Sequence, residues 1–302
     1  MFNGLKLPVI VAPMFLVSSP ELVIQASRNG VIGSFPLLNA RTSEILEEWL
    51  IAIKGELLDL PWAVNFISHP TNKRFEEDLQ LIRKYEPPIV ITSLGHPGKV
   101  IDVVHSYGGL VYSDVATIKH AKKAAETGVD GLILVANGAG GHAGRLNPFA
   151  FLAAVKQFWK GTTILAGGIS DGKDILAAKV LGADFAYMGT RFIVATESVA
   201  SEQYKKMVVN STVDDIIYTD AFSGVHANYL IPSIEKEGIE INNLPSKESI
   251  DFSHMVDVKA WRDIWSAGHG VTTITKIEPI ADIIAQLEKE YKEAQQAIAA
   301  LV

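Results

Sequence analysis

His142 stands out by its neighbours. It sits in Gly138-Ala139-Gly140-Gly141-His142-Ala143-Gly144, where few side chains crowd it in sequence and the backbone can turn sharply on both sides. Histidine is more often structural or solvent-facing, but this setting suits an imidazole that projects into a cavity and takes up a proton. Two further turns, Gly167-Gly168-Ile169-Ser170 and Gly189-Thr190-Arg191, offer backbone N–H groups that no side chain screens. A helix start beside such a turn favours a phosphate through its N–H groups and dipole. Arg191 either adds charge to that phosphate or lies in solvent. The chemistry implied is a titratable ring beside a phosphate-anchored cofactor.

The elements that must position these residues follow from the apolar pattern. Residues 131–136, 163–166 and Phe185–Met188 are short apolar runs, each ending in one of the three glycine turns and followed by helix-forming residues. That is a strand–loop–helix unit repeated three times. Upstream, residues 9–12, 31–35, Trp62–Ile67, 89–92 and 110–112 read as five more strands, with helical segments between them. Ser19 before Pro20, and Thr42 or Ser43, mark helix starts. Eight such units predict an α/β fold, a (β/α)8 TIM barrel, although an open doubly wound sheet would look alike locally. In such a barrel a phosphate commonly sits in the loops after strands seven and eight, which is where the two glycine turns fall.

After Val199 the rhythm fails. Residues 210–275 mix polar turns with aromatics, including Tyr218, Phe222, Tyr229, Trp261 and Trp265, and are expected to form a small lid or substrate subdomain near the C-terminus. Residues 278–301 carry Ile280, Ile283, Ile284, Leu287 and Tyr291 at helical spacing, so this helix is expected to return to the barrel. The expected division is residues 1–209 with 276–302 as the barrel and 210–275 as the subdomain.

With 302 residues, the chain is long enough for a barrel of about 250 residues and an addition. A net charge of −7 argues against nucleic acid as a partner, but not against a small phosphorylated ligand. The absence of cysteine excludes disulfides, thiolate metal sites and cysteine nucleophiles. No histidine has metal-ligand spacing with an acidic partner, so no metal is expected. No signal-type segment opens the chain and no apolar run reaches about 18 residues, so a cytoplasmic protein with no membrane span is expected.

Other polar residues sit at strand ends. Asn65 both donates and accepts, as the edge of a heterocycle requires, and a turn contact would use the same groups. Asp114 either bonds a cofactor or caps the helix that starts at Thr117. His69 and His96 each neighbour a proline, and a turn suffices to explain them.

As a set, Ala12-Pro13-Met14, Asn65 with Pro70-Thr71, Gly140-Gly141-His142-Ala143-Gly144, Leu165-Ala166-Gly167-Gly168-Ile169 and Met188-Gly189-Thr190-Arg191-Phe192 resemble the nitronate monooxygenase family, formerly called 2-nitropropane dioxygenases. The resemblance covers most of residues 1–230 and implies an FMN-dependent TIM barrel with an additional small domain. It implies that Ala12, Pro13 and Met14 line the flavin ring, and that Asn65, Thr71, Asp114, Gly140 and Gly141 contact the flavin or its tail. Ala166, Gly167, Gly168, Gly189 and Thr190 would hold its phosphate. His142 would face the substrate, removing a proton from carbon or binding nitro oxygens. The implied reaction uses dioxygen to convert an alkyl nitronate to a carbonyl compound and nitrite. Two positions depart from the pattern: Gly138 stands where many relatives carry a glutamate, and Asp114 where some NADH:quinone reductase relatives carry a lysine. An NAD(P)H-dependent quinone or enoyl reductase, with NAD(P)H as reductant, is the alternative on the same scaffold. A noncatalytic flavin-binding protein is the alternative of another class. The implied partners are a small-molecule substrate and dioxygen, and self-association as a homo-oligomer is open.

Overall fold

The structure is a computed structural model that describes residues 2, 4–244 and 263–300. Eight parallel strands form the barrel: β1 (Val9–Val11), β2 (Gly33–Pro36), β3 (Trp62–Ile67), β4 (Ile89–Ser93), β5 (Leu110–Val115), β6 (Gly131–Val135), β7 (Thr162–Ala166) and β8 (Phe185–Met188). Each pairs with its sequence neighbour, and β8 pairs with β1. The ring closes where Val11 N–H donates to Ile32 O (2.8 Å) and Ile32 N–H to Val9 O (2.9 Å). This closure rules out the open sheet.

Strand alternation builds two apolar layers. Ile10, Ile32, Ala63, Ile91, Tyr112, Ile133 and Ile164 fill the barrel interior. Their neighbours, such as Val9, Val64, Val90, Val111, Leu132 and Leu165, face the helices outside. The helices are α1 (Pro20–Arg28), α2 (Ser43–Leu57), α3 (Phe75–Tyr85), α4 (Gly98–Ser106), α5 (Ile118–Ala125), α6 (Pro148–Lys156) and α7 (Gly172–Val180). Ser19 and Thr42 cap α1 and α2 through their hydroxyls, and Pro20 occupies the first turn of α1. The chain then leaves the barrel rhythm through α8 (Thr190–Ile193) and α9 (Glu202–Asn210). It returns as the last helix, which spans Ile280–Ala299 and packs against α7 and α1, completing the helical ring. No helix among the described residues is long and apolar enough to cross a membrane.

Within 210–275 the sequence reading missed regular structure. Here β9 (Ile216–Thr219) and β10 (Ala227–Leu230) form an antiparallel pair, followed by α10 (Ile231–Lys236). The two-residue strand Gly141–His142 adds to the far edge of β10, with His142 opposite Ala227 and Gly141 opposite Asn228. Tyr229 and Phe222 pack edge to face (5.0 Å), and Trp265 stacks on Tyr204 (5.0 Å). Trp261 and Leu301 lie outside the described residues.

Arg191 follows neither sequence expectation. It is buried and its guanidinium donates to Glu278 Oε1 (2.5 Å), an acid that also meets Lys276 (2.5 Å). Burial opposes ionisation of Glu278, but these two cations hold its carboxyl below the usual range. The pair ties α8 to the segment that leads into the last helix. Removing one partner strands a buried charge, so Glu278→Ala is expected to cost about 3–5 kcal/mol, read as a drop in melting temperature. An unchanged melting temperature would refute it.

Candidate active site

A cavity of about 880 Å³ opens at the C-terminal end of the barrel, within the size range of ligand pockets. Ala12, Pro13, Met14, Asn65, Asp114, Gly140, Gly141, His142, Ala166, Gly167, Gly168, Gly189 and Thr190 all line it. Thr71 does not: it is exposed, and its hydroxyl meets His69 Nδ1 at 2.8 Å. The barrel therefore gathers every site residue expected from the sequence except one.

The loop that carries His142 is held from both sides. On the barrel side, Gly144 N–H donates to Val135 O (3.1 Å) and Asn137 N–H to Leu146 O (2.8 Å). From the side of the β9–β10 pair, Ala143 N–H donates to His226 O (3.2 Å), Tyr218 OH to Ala143 O (2.9 Å) and Asn228 Nδ2 to Ala139 O (2.7 Å). Gly141 has φ +69°, a conformation that costs glycine nothing. The His142 ring is partly buried, with Nε2 3.3 Å from Ser223 Oγ. Burial alone lowers its pKa to about 4, so the ring is neutral near pH 7 and able to accept a proton.

The structure also accounts for Gly138. Its φ is +83°, a Cβ there would lie 3.0 Å from the His269 ring, and its carbonyl accepts from Gly168 N–H (3.2 Å) and His269 N–H (2.9 Å). A side chain as long as glutamate would strain this corner, so the departure from the family pattern goes with the local backbone.

At the opposite wall, three strands share a polar chain. Asn65 Nδ2 donates to Ser93 Oγ (2.7 Å), and Ser93 Oγ donates to Asp114 Oδ2 (2.5 Å). Asp114 does not cap α5; Thr117 does so with its own hydroxyl. Burial pushes Asp114 up to about 6, and the Ser93 bond offsets this only in part. Asp114 Oδ1 and the Tyr187 hydroxyl are buried with no hydrogen-bond partner among the described residues. Both residues line the cavity, so both atoms suit a polar ligand there. Ser93 and Tyr187 were missed in the sequence reading. Ser93 carries the same signal as Asn65, a polar residue at the end of an apolar run, whereas Tyr187 looks like core.

A raised carboxyl has a sign for stability. Between about pH 4 and 6 the unfolded chain gives up the Asp114 proton while the folded protein keeps it, so folding weakens as pH rises through that window. The ligand-free Asp114→Asn variant is therefore expected to gain about 1–3 kcal/mol over wild type from pH 4 to pH 7, followed by denaturant unfolding. A pH-independent difference would refute it.

The helix-start expectation needs correcting at α7. Its first turn is taken by carboxylates: Asp171 and Asp174 form a capping box, Asp174 also accepts from Ser170 N–H (2.8 Å), and Glu290 accepts from Gly172 N–H (2.9 Å). The start of this helix is therefore not open to an anion. Gly168 has φ +70°, and a Cβ there would touch nothing within 4 Å. A Cβ on Gly189 would make only ordinary contact with Ala12 and Met14, at 3.6 Å. Both turns leave room for a close backbone approach.

Residues 35–290 match the nitronate monooxygenase family. The chain belongs to that family. As a member of the nitronate monooxygenase family it is an oxidoreductase, which sets aside the noncatalytic alternative. It is 25% identical to a nitronate monooxygenase of Paraburkholderia phytofirmans, over 96% of this chain and 94% of the relative. It is 27% identical to a (3aS,4S,5R,7aS)-5-hydroxy-7a-methyl-1-oxo-octahydro-1H-indene-4-carboxyl-CoA dehydrogenase of Rhodococcus jostii, over 78% and 67% of the two chains. The solved structure of FabK from Thermotoga maritima superposes with a TM-score of 0.83 at 25% identity, covering 99% of this chain and 96% of that one.

Proposed function

We propose that this protein is an FMN-dependent nitronate monooxygenase that oxidises alkyl nitronates with dioxygen to carbonyl compounds and nitrite. One observation carries the reading: a single cavity brings His142 together with both open glycine turns. The residues fit the cofactor. Gly167, Gly189 and Thr190 would hold the phosphate by backbone N–H groups, while Gly168, whose own N–H is bonded to Gly138 O, would give the open turn beside it. Ala12, Pro13, Met14 and Ala166 offer an apolar wall to the ring, and Asn65, Asp114, Gly140 and Gly141 the polar edge. Bound FMN supplies the two-electron oxidation and the route for electrons to dioxygen.

The chain's own groups do the rest. His142, neutral near pH 7, takes the carbon proton of a neutral nitroalkane to give the nitronate, or donates to the oxygens of a nitronate that arrives preformed, and Ser223 sets the ring's orientation. The cavity wall is largely apolar, which favours a small alkyl group and strengthens each polar contact made inside. The described part of residues 210–275 acts as the substrate-facing subdomain, because Val225, Ser266, Gly268 and Gly270 complete the cavity. The test is oxygen consumption by yellow holo-protein with alkyl nitronates and no added NAD(P)H. No oxygen uptake with any of several nitronates would refute the substrate assignment.

A second reading, an NAD(P)H-dependent quinone or enoyl reductase, is favoured by the likeness to FabK. It predicts that NADH or NADPH bleaches the flavin without oxygen present.

A further inference from the structure

The cavity has a polar floor. One inward position further along β3 to β8 than the packed interior stand Asn65, Ser93, Asp114, Val135, Ala166 and Tyr187. All six line the cavity. Asp114 is the one carboxylate in the lining, and it makes no ion pair among the described residues.

The hydrogen bonds that reach Asp114 run one way. Asn65 Nδ2 also donates to Ile91 O (3.1 Å), so that atom is the amide nitrogen and can only donate. Ser93 Oγ accepts from it and commits its own hydrogen to Asp114 Oδ2. Asp114 is left one place to gain or lose a proton, the unpartnered Oδ1. The other titratable groups in the lining come from elsewhere: Tyr187 from β8, His142 from the loop after β6, and His69 and His96 from the loops after β3 and β4. His120 and Lys123 of α5 and Tyr204 of α9 complete the set. Burial and the charge of Asp114 hold the Tyr187 hydroxyl well above its ordinary range, so Tyr187 stays a neutral donor.

Reduction of a flavin by two electrons and one proton leaves one net negative charge on its ring. A carboxylate beside that ring, with no countercharge of its own, relieves the repulsion by taking up a proton. We propose that Asp114 is the proton partner of the flavin: Oδ1 takes a proton from water when electrons reach the ring and returns it when they leave. The inference rests on the reading that this cavity holds FMN. Two electrons then enter with two protons, one on the ring and one on Asp114. The electrons come from the nitronate substrate, which is oxidised, and pass to dioxygen, which is reduced; their departure releases both protons.

The test is the midpoint potential of bound FMN from about pH 5 to 9, titrated anaerobically with dithionite beside a reference dye. Wild type, Asp114→Asn, Ser93→Ala and His142→Ala are compared as holo-proteins. Each proton taken up with two electrons lowers the potential by about 30 mV for every tenfold drop in proton concentration. From about pH 6 upward, wild type is expected to fall more steeply than Asp114→Asn by one proton. If reduction raises the proton affinity of Asp114 about tenfold, the variant ends about 30 mV above wild type at high pH. Ser93→Ala removes a bond that favours the charged form, so it should carry the steep segment to higher pH. His142→Ala should keep that segment. Parallel potentials in wild type and Asp114→Asn at every pH, or a segment lost in His142→Ala alone, overturn the proposal and leave the FMN reading standing. If Asp114→Asn loses its flavin, Ser93→Ala decides, and an unmoved segment overturns the proposal. A wild-type protein that binds no FMN overturns both.

Discussion

His142→Ala is expected to lower turnover by about 100- to 10,000-fold while the protein keeps its FMN. The neutral nitroalkane and its preformed nitronate separate the two roles open to the ring. If His142 removes the carbon proton, the loss appears with the nitroalkane and is largely restored when the nitronate is supplied. If the ring binds nitro oxygens, both substrates suffer. The pH profile adds an independent reading. Burial depresses the ring's pKa to about 4, so the base stays competent down to that pH, and the acid limb for proton abstraction should fall well below the ordinary histidine range. An acid limb near 6.5, or a variant as fast as wild type, would remove His142 from the chemistry.

The two adjacent glycines of the β7 turn should respond differently to alanine. At Gly167, φ is +124° and a Cβ would lie 2.5 Å from Asn137 O, a backbone atom in the loop that leads to His142. Backbone cannot swing aside as a flexible side chain does, so Gly167→Ala is expected to displace both loops and yield protein without flavin. At Gly168, φ is +70° and the new methyl meets nothing within 4 Å. That variant should fold with a loss of about 1–2 kcal/mol from backbone strain. Its FMN affinity should nevertheless fall by more than the strain explains, because the methyl would enter the space proposed for the phosphate. Flavin content after gel filtration, melting temperature and FMN fluorescence titration measure the three quantities. Two folded variants with wild-type FMN affinity would show that the phosphate lies elsewhere.

The barrel was legible because each strand is a short apolar run bounded by glycine, proline or polar residues, and because helix caps such as Ser19 and Thr42 are local signals. The site was legible for a related reason: strand ends converge at one rim, so naming the strand ends names the cavity lining. What escaped was non-local. The partner of Arg191 is Glu278, 87 positions away, and no spacing rule reaches that far. The pairing of Gly141–His142 with β10 joins residues separated by most of the barrel's second half. The acids that occupy the start of α7 had a local component, since Asp171 and Asp174 stand at capping-box spacing, but Glu290 comes from the last helix. Thr71 was placed at the site through the family pattern; its exposed side chain does not line the cavity, although His69, which it meets, does.

The edge-strand pairing of His142 has a consequence for biosynthesis. A ribosome delivers the imidazole long before it delivers Ala227 and Asn228, the residues that clamp its backbone. While it is being translated, the nascent chain can assemble six or more barrel strands with the reactive ring still unplaced. Competence then arrives late and all at once, when the downstream hairpin docks.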